Sequence, residues 1–194
     1  MSNKIFACAA AGVMLSLTFV NASNAGMKPM KTSMEHMVVV GGAAMYPSKT
    51  IIQNAVNSKD HTTLVAAVKA AGLVDTLSGP GPLTVFAPTN AAFAKLPAGA
   101  VDNLLKPENK PALAKVLTYH VVAGRMTGAD LMAKVRAGGG KASLTTVEGE
   151  PLTVSAKNGA LWIWDAQGSS AKVAIADVGQ SNGVIHVVDT VLMP

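Results

Sequence analysis

Four histidines, the side chains that ordinarily titrate near neutrality, stand far apart at positions 36, 61, 120 and 186. No two of them have the i,i+4 spacing with which a helix presents paired metal ligands. The eleven Asp and Glu residues are equally dispersed. There is no HExxH helix, phosphate-binding glycine loop or CxxC pair, and no serine-nucleophile elbow is expected. Two clusters remain. Met27, Met30, Met34 and Met37, with His36 beside them, gather soft thioether donors that would suit cuprous copper. The plainer reading of that stretch is a flexible, processed linker. Trp162 and Trp164, the chain's two tryptophans, share a strand face at i,i+2. Exposed, they would make a flat aromatic strip for a sugar ring or a partner surface. Packing beneath a helix or against a sheet is the expected alternative.

Composition narrows the classes further. The 194 residues suit one domain, and 49% of them are hydrophobic while 4% are aromatic, so the core is built from aliphatic side chains. With 14% charged residues the chain is no solvated disordered polymer. Its sixteen basic residues are scattered and give a net charge of +5, which excludes the dense Lys/Arg stripe of a nucleic-acid binder. A pI near 9.4 implies weak attraction to anionic surfaces such as envelope polymers.

The chain opens as an export signal. Lys4 precedes an apolar stretch from Ile5 to Val20, and Ser23-Asn24-Ala25 offers small residues for cleavage before Gly26. Residues 1–25 are expected to be removed, taking with them Cys8, the one cysteine. A mature chain without cysteine has no disulfide and no thiolate chemistry. Residues 26–46 then read as a flexible Met-rich tail and 47–194 as the folded domain. No second long apolar stretch follows, so no transmembrane span is expected.

Helical patterns come first. Ile51, Ile52, Ala55 and Val56 repeat at helical spacing, and Asp60 is placed to cap a second helix carrying Leu64, Val65, Val68 and Ala71. Gly72 ends it. Leu83 to Phe86 reads as a buried strand stopped by Pro88. Further helices follow over 90–96, after Pro97, and from Asn109, the last running into a strand at Tyr119-His120-Val121-Val122. Thr127-Gly128-Ala129-Asp130 is a capping-box pattern. The last third alternates with period two, and Asn158-Gly159 is a strong hairpin signal. Val184 to Leu192 is apolar on both faces and should be a central, covered strand. Helices first and strands later argue for an α+β domain.

Three ordered blocks carry a family resemblance. Thr84-Val85-Phe86-Ala87-Pro88-Thr89-Asn90-Ala91-Ala92-Phe93, the pair Tyr119-His120, and Asn182-Gly183-Val184-Ile185-His186-Val187-Val188-Asp189 through Pro194 resemble the signature segments of the fasciclin domain. They occur in that family's order and span about residues 47–194. The resemblance implies a wedge in which a twisted seven-stranded β-sandwich packs with several α-helices. It also implies an extracellular, non-catalytic module for cell adhesion or surface interaction, with no cofactor. In animal members, integrin contacts are attributed to the tyrosine–histidine segment and to an Asp-Ile pair before the closing block. Tyr119 and His120 match the first; Asp177-Val178 stands where the second would be, with valine for isoleucine.

The expected protein is therefore secreted or periplasmic, monomeric and not an enzyme. Its partner would be a cell-surface or matrix protein or an envelope polysaccharide. Exposed faces around Tyr119, His120, Asp177 and Val178 would bind it. Thr84, Thr89, Asn90 and His186 read as structural, with His186 buried and hydrogen-bonded, and Thr89 or Asn90 placed to serve His120. The alternative is a periplasmic small-ligand or copper-binding protein using the methionine tail.

Overall fold

A computed structural model describes residues 37–97 and 99–194. The export signal and the cluster Met27, Met30, Met34 and His36 lie outside the described residues; Met37 is exposed. In chain order the elements begin with β1 (Val38–Val40), β2 (Ala43–Met45), α1 (Ile51–Ala55), α2 (Thr62–Ala71) and α3 (Val74–Ser78). They continue with β3 (Leu83–Pro88), α4 (Asn90–Ala94), α5 (Ala100–Leu104), α6 (Lys110–Tyr119), β4 (Val121–Ala123) and α7 (Gly128–Ala137). The last five are strands: β5 (Lys141–Thr145), β6 (Pro151–Lys157), β7 (Ala160–Trp164), β8 (Ser170–Gln180) and β9 (Gly183–Val188).

Seven strands form one sheet in the order β4-β3-β9-β8-β7-β6-β5, an α+β architecture. All neighbours are antiparallel except β3 and β9, which run parallel with Leu83 beside Gly183 and Pro88 beside Val188. A Cβ on Gly183 would collide with the Leu83 carbonyl, so only glycine lets the strands approach there. The two outer strands also meet, through a bridge from Val122 to Thr146, so the sheet curls toward closure. Every residue of β9 is buried, as its two apolar faces require, but the strand ends at Val188, short of the expected Leu192.

Burial on both faces follows from two apolar cores. On one side α1, α2 and α6 bring Ile51, Leu64, Val68, Leu113 and Leu117 against Val85, Ile185 and Val187. On the other, Phe86 and Val188 join Leu131 and Val135 of α7 with Leu152, Val154 and Ile163 of the curled sheet. Fully burying each side chain of this size contributes about 1.5–3 kcal/mol.

Several helix boundaries follow local chemistry. Thr127 caps α7 through a complete capping box with Asp130. Gly72, in the left-handed region, ends α2. Two expectations are corrected. Asp60 does not cap α2: residues 59–61 form a 3-10 turn and the N-cap is His61, without a side-chain bond. Tyr119 and His120 are not in a strand: Tyr119 is the last residue of α6 and His120 its C-cap.

The described part of the stretch expected as a flexible tail over 26–46 is folded. Residues 38–45 form a hairpin in which Val38 pairs with Met45, and Val40 and Met45 enter the first core. Each is only 3% exposed. If that packing is structural, Met45→Ala should lower folding stability by about 2 kcal/mol or more and Val40→Ala by less. Urea unfolding measures this; midpoints equal to wild type would return the segment to a loose tail.

Candidate functional site

The first and closing blocks meet at His186. Its imidazole is fully buried in β9 and stacks on Phe86 of β3, with ring centroids 5.6 Å apart and planes 26° from parallel. Nε2 lies 2.9 Å from the Met126 carbonyl, which can only accept, so Nε2 carries the proton. Nδ1 then accepts from the Asp177 N–H at 3.3 Å. The neighbouring bonds extend outward. Thr84 of β3 donates to the Gly124 carbonyl at 2.6 Å and accepts from Met126 N–H at 2.9 Å. Asp177, at a positive φ of 61° within an irregular stretch of β8, accepts from Gly128 N–H at 2.6 Å. That amide opens α7, so the carboxylate satisfies an unpaired donor and faces the helix's positive end.

His120 carries its proton on the other nitrogen. Nδ1 donates to the Val116 carbonyl at 2.8 Å, and Nε2 accepts from Leu192 N–H at 3.1 Å. Its partners are therefore backbone groups of α6 and the C-terminal segment, not Thr89 or Asn90. Tyr119 is wholly buried; its hydroxyl donates to the Pro151 carbonyl and accepts from Ala166 N–H. Asp165 receives the amides of Gln167, Ser169 and Met193. Tyr119, His120 and Asp165 thus fasten the chain after β9 to α6 and to the β7–β8 loop.

Burial pushes the protonation of all three described histidines below its ordinary pH. For His120 desolvation outweighs the Val116 carbonyl and the Asp165 charge, and the value falls to about 4. For His186 burial outweighs Met126 and Asp177; for His61 it outweighs Asp60. Each is a neutral imidazole in a structural bond, not a base poised near neutrality.

These positions correct the surface expected from the sequence. Tyr119, His120 and Val178 are core residues, and only Asp177 of that group is exposed. A partner could reach the first three only by opening the domain. Thr89 caps α4 through Ala92 N–H. Asn90 ties α4 to α2, accepting from Thr63 N–H and donating to the Lys59 carbonyl and Thr62 hydroxyl. Thr84 sits within β3. The tryptophans lie under no helix: they face outward from β7, Trp164 39% exposed and Trp162 half-buried. Asn182, part of the closing block, accepts from Ile51 N–H and donates to the Leu77 and Gly79 carbonyls, joining three segments.

One catalytic pattern is present, against the expectation of no nucleophile elbow. Gly179-Gln180-Ser181-Asn182-Gly183 spells G-x-S-x-G. The pattern needs a strand-to-helix turn. Here it is the hairpin between antiparallel β8 and β9, and the three described histidines bond elsewhere.

The curled sheet, the parallel β3–β9 pair and the buried histidines define an α+β structural module. Residues 59–194 match the Fasciclin domain family, and the chain belongs to it. It is 49% identical over 168 residues to Protein sll1483 of Synechocystis sp., covering 87% of this chain and 86% of that one. It is 36% identical over 160 residues to the cell surface glycolipoprotein MPB83 of Mycobacterium bovis, covering 80% of this chain and 64% of that one. Its fold matches a domain pair of the insect cell adhesion molecule Fasciclin I at a TM-score of 0.68 and 20% identity, over 81% of this chain and 58% of that one.

Two outcomes test the site. His186→Ala removes both bonds and the stacked ring, and should cost about 3 kcal/mol of stability; an unchanged denaturation midpoint would refute the structural role. The pH dependence has a definite sign. The folded histidines titrate below the unfolded value of 6.5, so on acidification the unfolded chain takes up protons first. Stability should be level above about pH 7 and fall from about pH 6.5 toward 4, with His120 alone accounting for up to about 3 kcal/mol. Urea midpoints against pH, flattened in a His120→Gln variant, check this.

Proposed function

We propose that this protein is an exported, non-catalytic surface-interaction module that serves adhesion. The observation that carries the reading is where the polar chemistry goes. Tyr119, His120, His186 and Asp177 all hold the fold together through specific bonds, which leaves none of them poised to act on a substrate. Membership of the fasciclin family supports the same direction, as does the cell-surface description of its mycobacterial relative. No helix among the described residues is long and apolar enough to cross a membrane. The export part of the reading rests on residues 1–25 and their small-residue cleavage site.

Binding in this reading uses exposed outer surfaces, because the tyrosine–histidine segment is interior. The experiment is in two parts. Edman sequencing of the protein recovered from outside the cytoplasm should give a chain beginning at Gly26. Beads coated with that mature chain should adhere to intact cells of the source organism several-fold more than beads coated with a control protein. An intact Met1 terminus would remove export, and equal bead adhesion would remove the adhesive role.

A further inference from the structure

The outward face of β5–β8 carries residue types that the core does not explain. Its side chains alternate with the buried residues of each strand. The registers align Lys141, Ser155, Trp162 and Lys172 in one row across four strands. The next row is Ser143, Thr153, Trp164 and Ser170. Neighbouring strands lie roughly 4.8 Å apart, so Lys141 and Lys172 bracket the first row at about 14 Å. The Trp164 indole is fixed by a 2.9 Å bond from Nε1 to the Ser155 hydroxyl, diagonally across β6. Lys157 adds a third cation at the end of β6.

We propose that this face binds an acidic polysaccharide, a chain of pyranose rings bearing carboxylates. This deepens the adhesive reading above and rests on it. Each component of the face has a counterpart in such a chain. The indoles offer π faces to the C–H side of a sugar ring. The serine and threonine hydroxyls can exchange hydrogen bonds with sugar hydroxyls. The lysines meet the carboxylates.

Charge complementarity selects the acidic class. No position in these two rows is acidic, and Asp177, farther along β8, is bonded to Gly128 N–H. The nearest carboxylates along the chain are engaged: Asp165 by three backbone amides, Glu150 by Lys115, Asp189 by Lys172 N–H and Lys95. Among the described residues Lys141, Lys157 and Lys172 make no ion pair. Three lysines without an arginine are a thin match for a phosphate at every nucleotide.

The probe is polygalacturonate, titrated into the full mature chain and followed by calorimetry and tryptophan emission. Dextran and a single-stranded oligonucleotide serve as the neutral and nucleic-acid arms. Polygalacturonate should bind, shift the emission to shorter wavelength, and weaken several-fold between 50 and 200 mM salt, about the range over which screening tightens. Dextran should bind at least tenfold more weakly. The double variant Trp162→Ala, Trp164→Ala should lose at least tenfold in affinity, and Lys141→Gln, Lys172→Gln several-fold. The lysine pair is exposed, so its variant keeps the test readable should the tryptophan variant fold poorly. No binding, equal binding of dextran or the oligonucleotide, or affinity unchanged in both variants would each overturn the proposal. Beads that still adhere to cells when coated with the double tryptophan variant would overturn this face while sparing the adhesive reading.

Discussion

A single proton on His186 Nε2 fixes much of this domain. The imidazole sits between two backbone groups of opposite demand, the Met126 carbonyl and the Asp177 N–H, and only the neutral Nε2-protonated form answers both. That choice of tautomer holds β9 to the loop before α7 and to the irregular stretch of β8. Thr84 and Asp177 then complete the loop, one from each neighbouring strand, and α7 begins where they place it. Without the ring, both of these backbone groups would lose a partner together, and each unsatisfied group costs of order 1–3 kcal/mol.

The same arrangement decides where function can reside. With β3 and β9 covered on both sides, the most recognisable residues of the sequence are spent on internal bonding. His120 makes the point through the opposite tautomer: its donor and acceptor roles are reversed, and so are the ends of the ring that meet α6 and the C-terminal segment. The β5–β8 part of the sheet packs α7 on one face and keeps the other open, and there the residue types change to lysine, serine, threonine and tryptophan.

What could be read from the sequence was mostly what neighbouring residues decide among themselves. The capping box at Thr127, the glycine end of α2 and the Asn158-Gly159 turn are local solutions to local needs. The burial of β9 could also be read, because both of its faces are apolar. Pairing across long separations could not. Nothing in Leu83–Pro88 says that it will lie parallel to a strand about one hundred residues later. β5 has one large apolar residue, Leu144, and is too polar to stand out as a strand before β6 pairs with it. The β1–β2 hairpin has three-residue strands and follows the methionines, so its apolar residues look like a continuation of a tail. For β7, alternation alone could not say which face is inward, since Leu161 and Ile163 compete with two tryptophans. The register that sets Ile163 opposite buried Val154 resolves it. The tyrosine–histidine pair read as part of a strand and of an exposed binding face; it is instead interior, at the end of α6, where helix and strand meet within one residue.

The order in which the strands are made has its own consequence. β9 pairs with β3 and β8 and is the last of the nine described strands to leave the ribosome. Until it arrives, β3 has only the short β4 beside it and neither apolar core can close. Contacts between residues so distant in sequence also form slowly, because a long loop must be closed before they are gained. The chain therefore stays open until β9 has been made, the state in which a polypeptide can be threaded through a narrow channel.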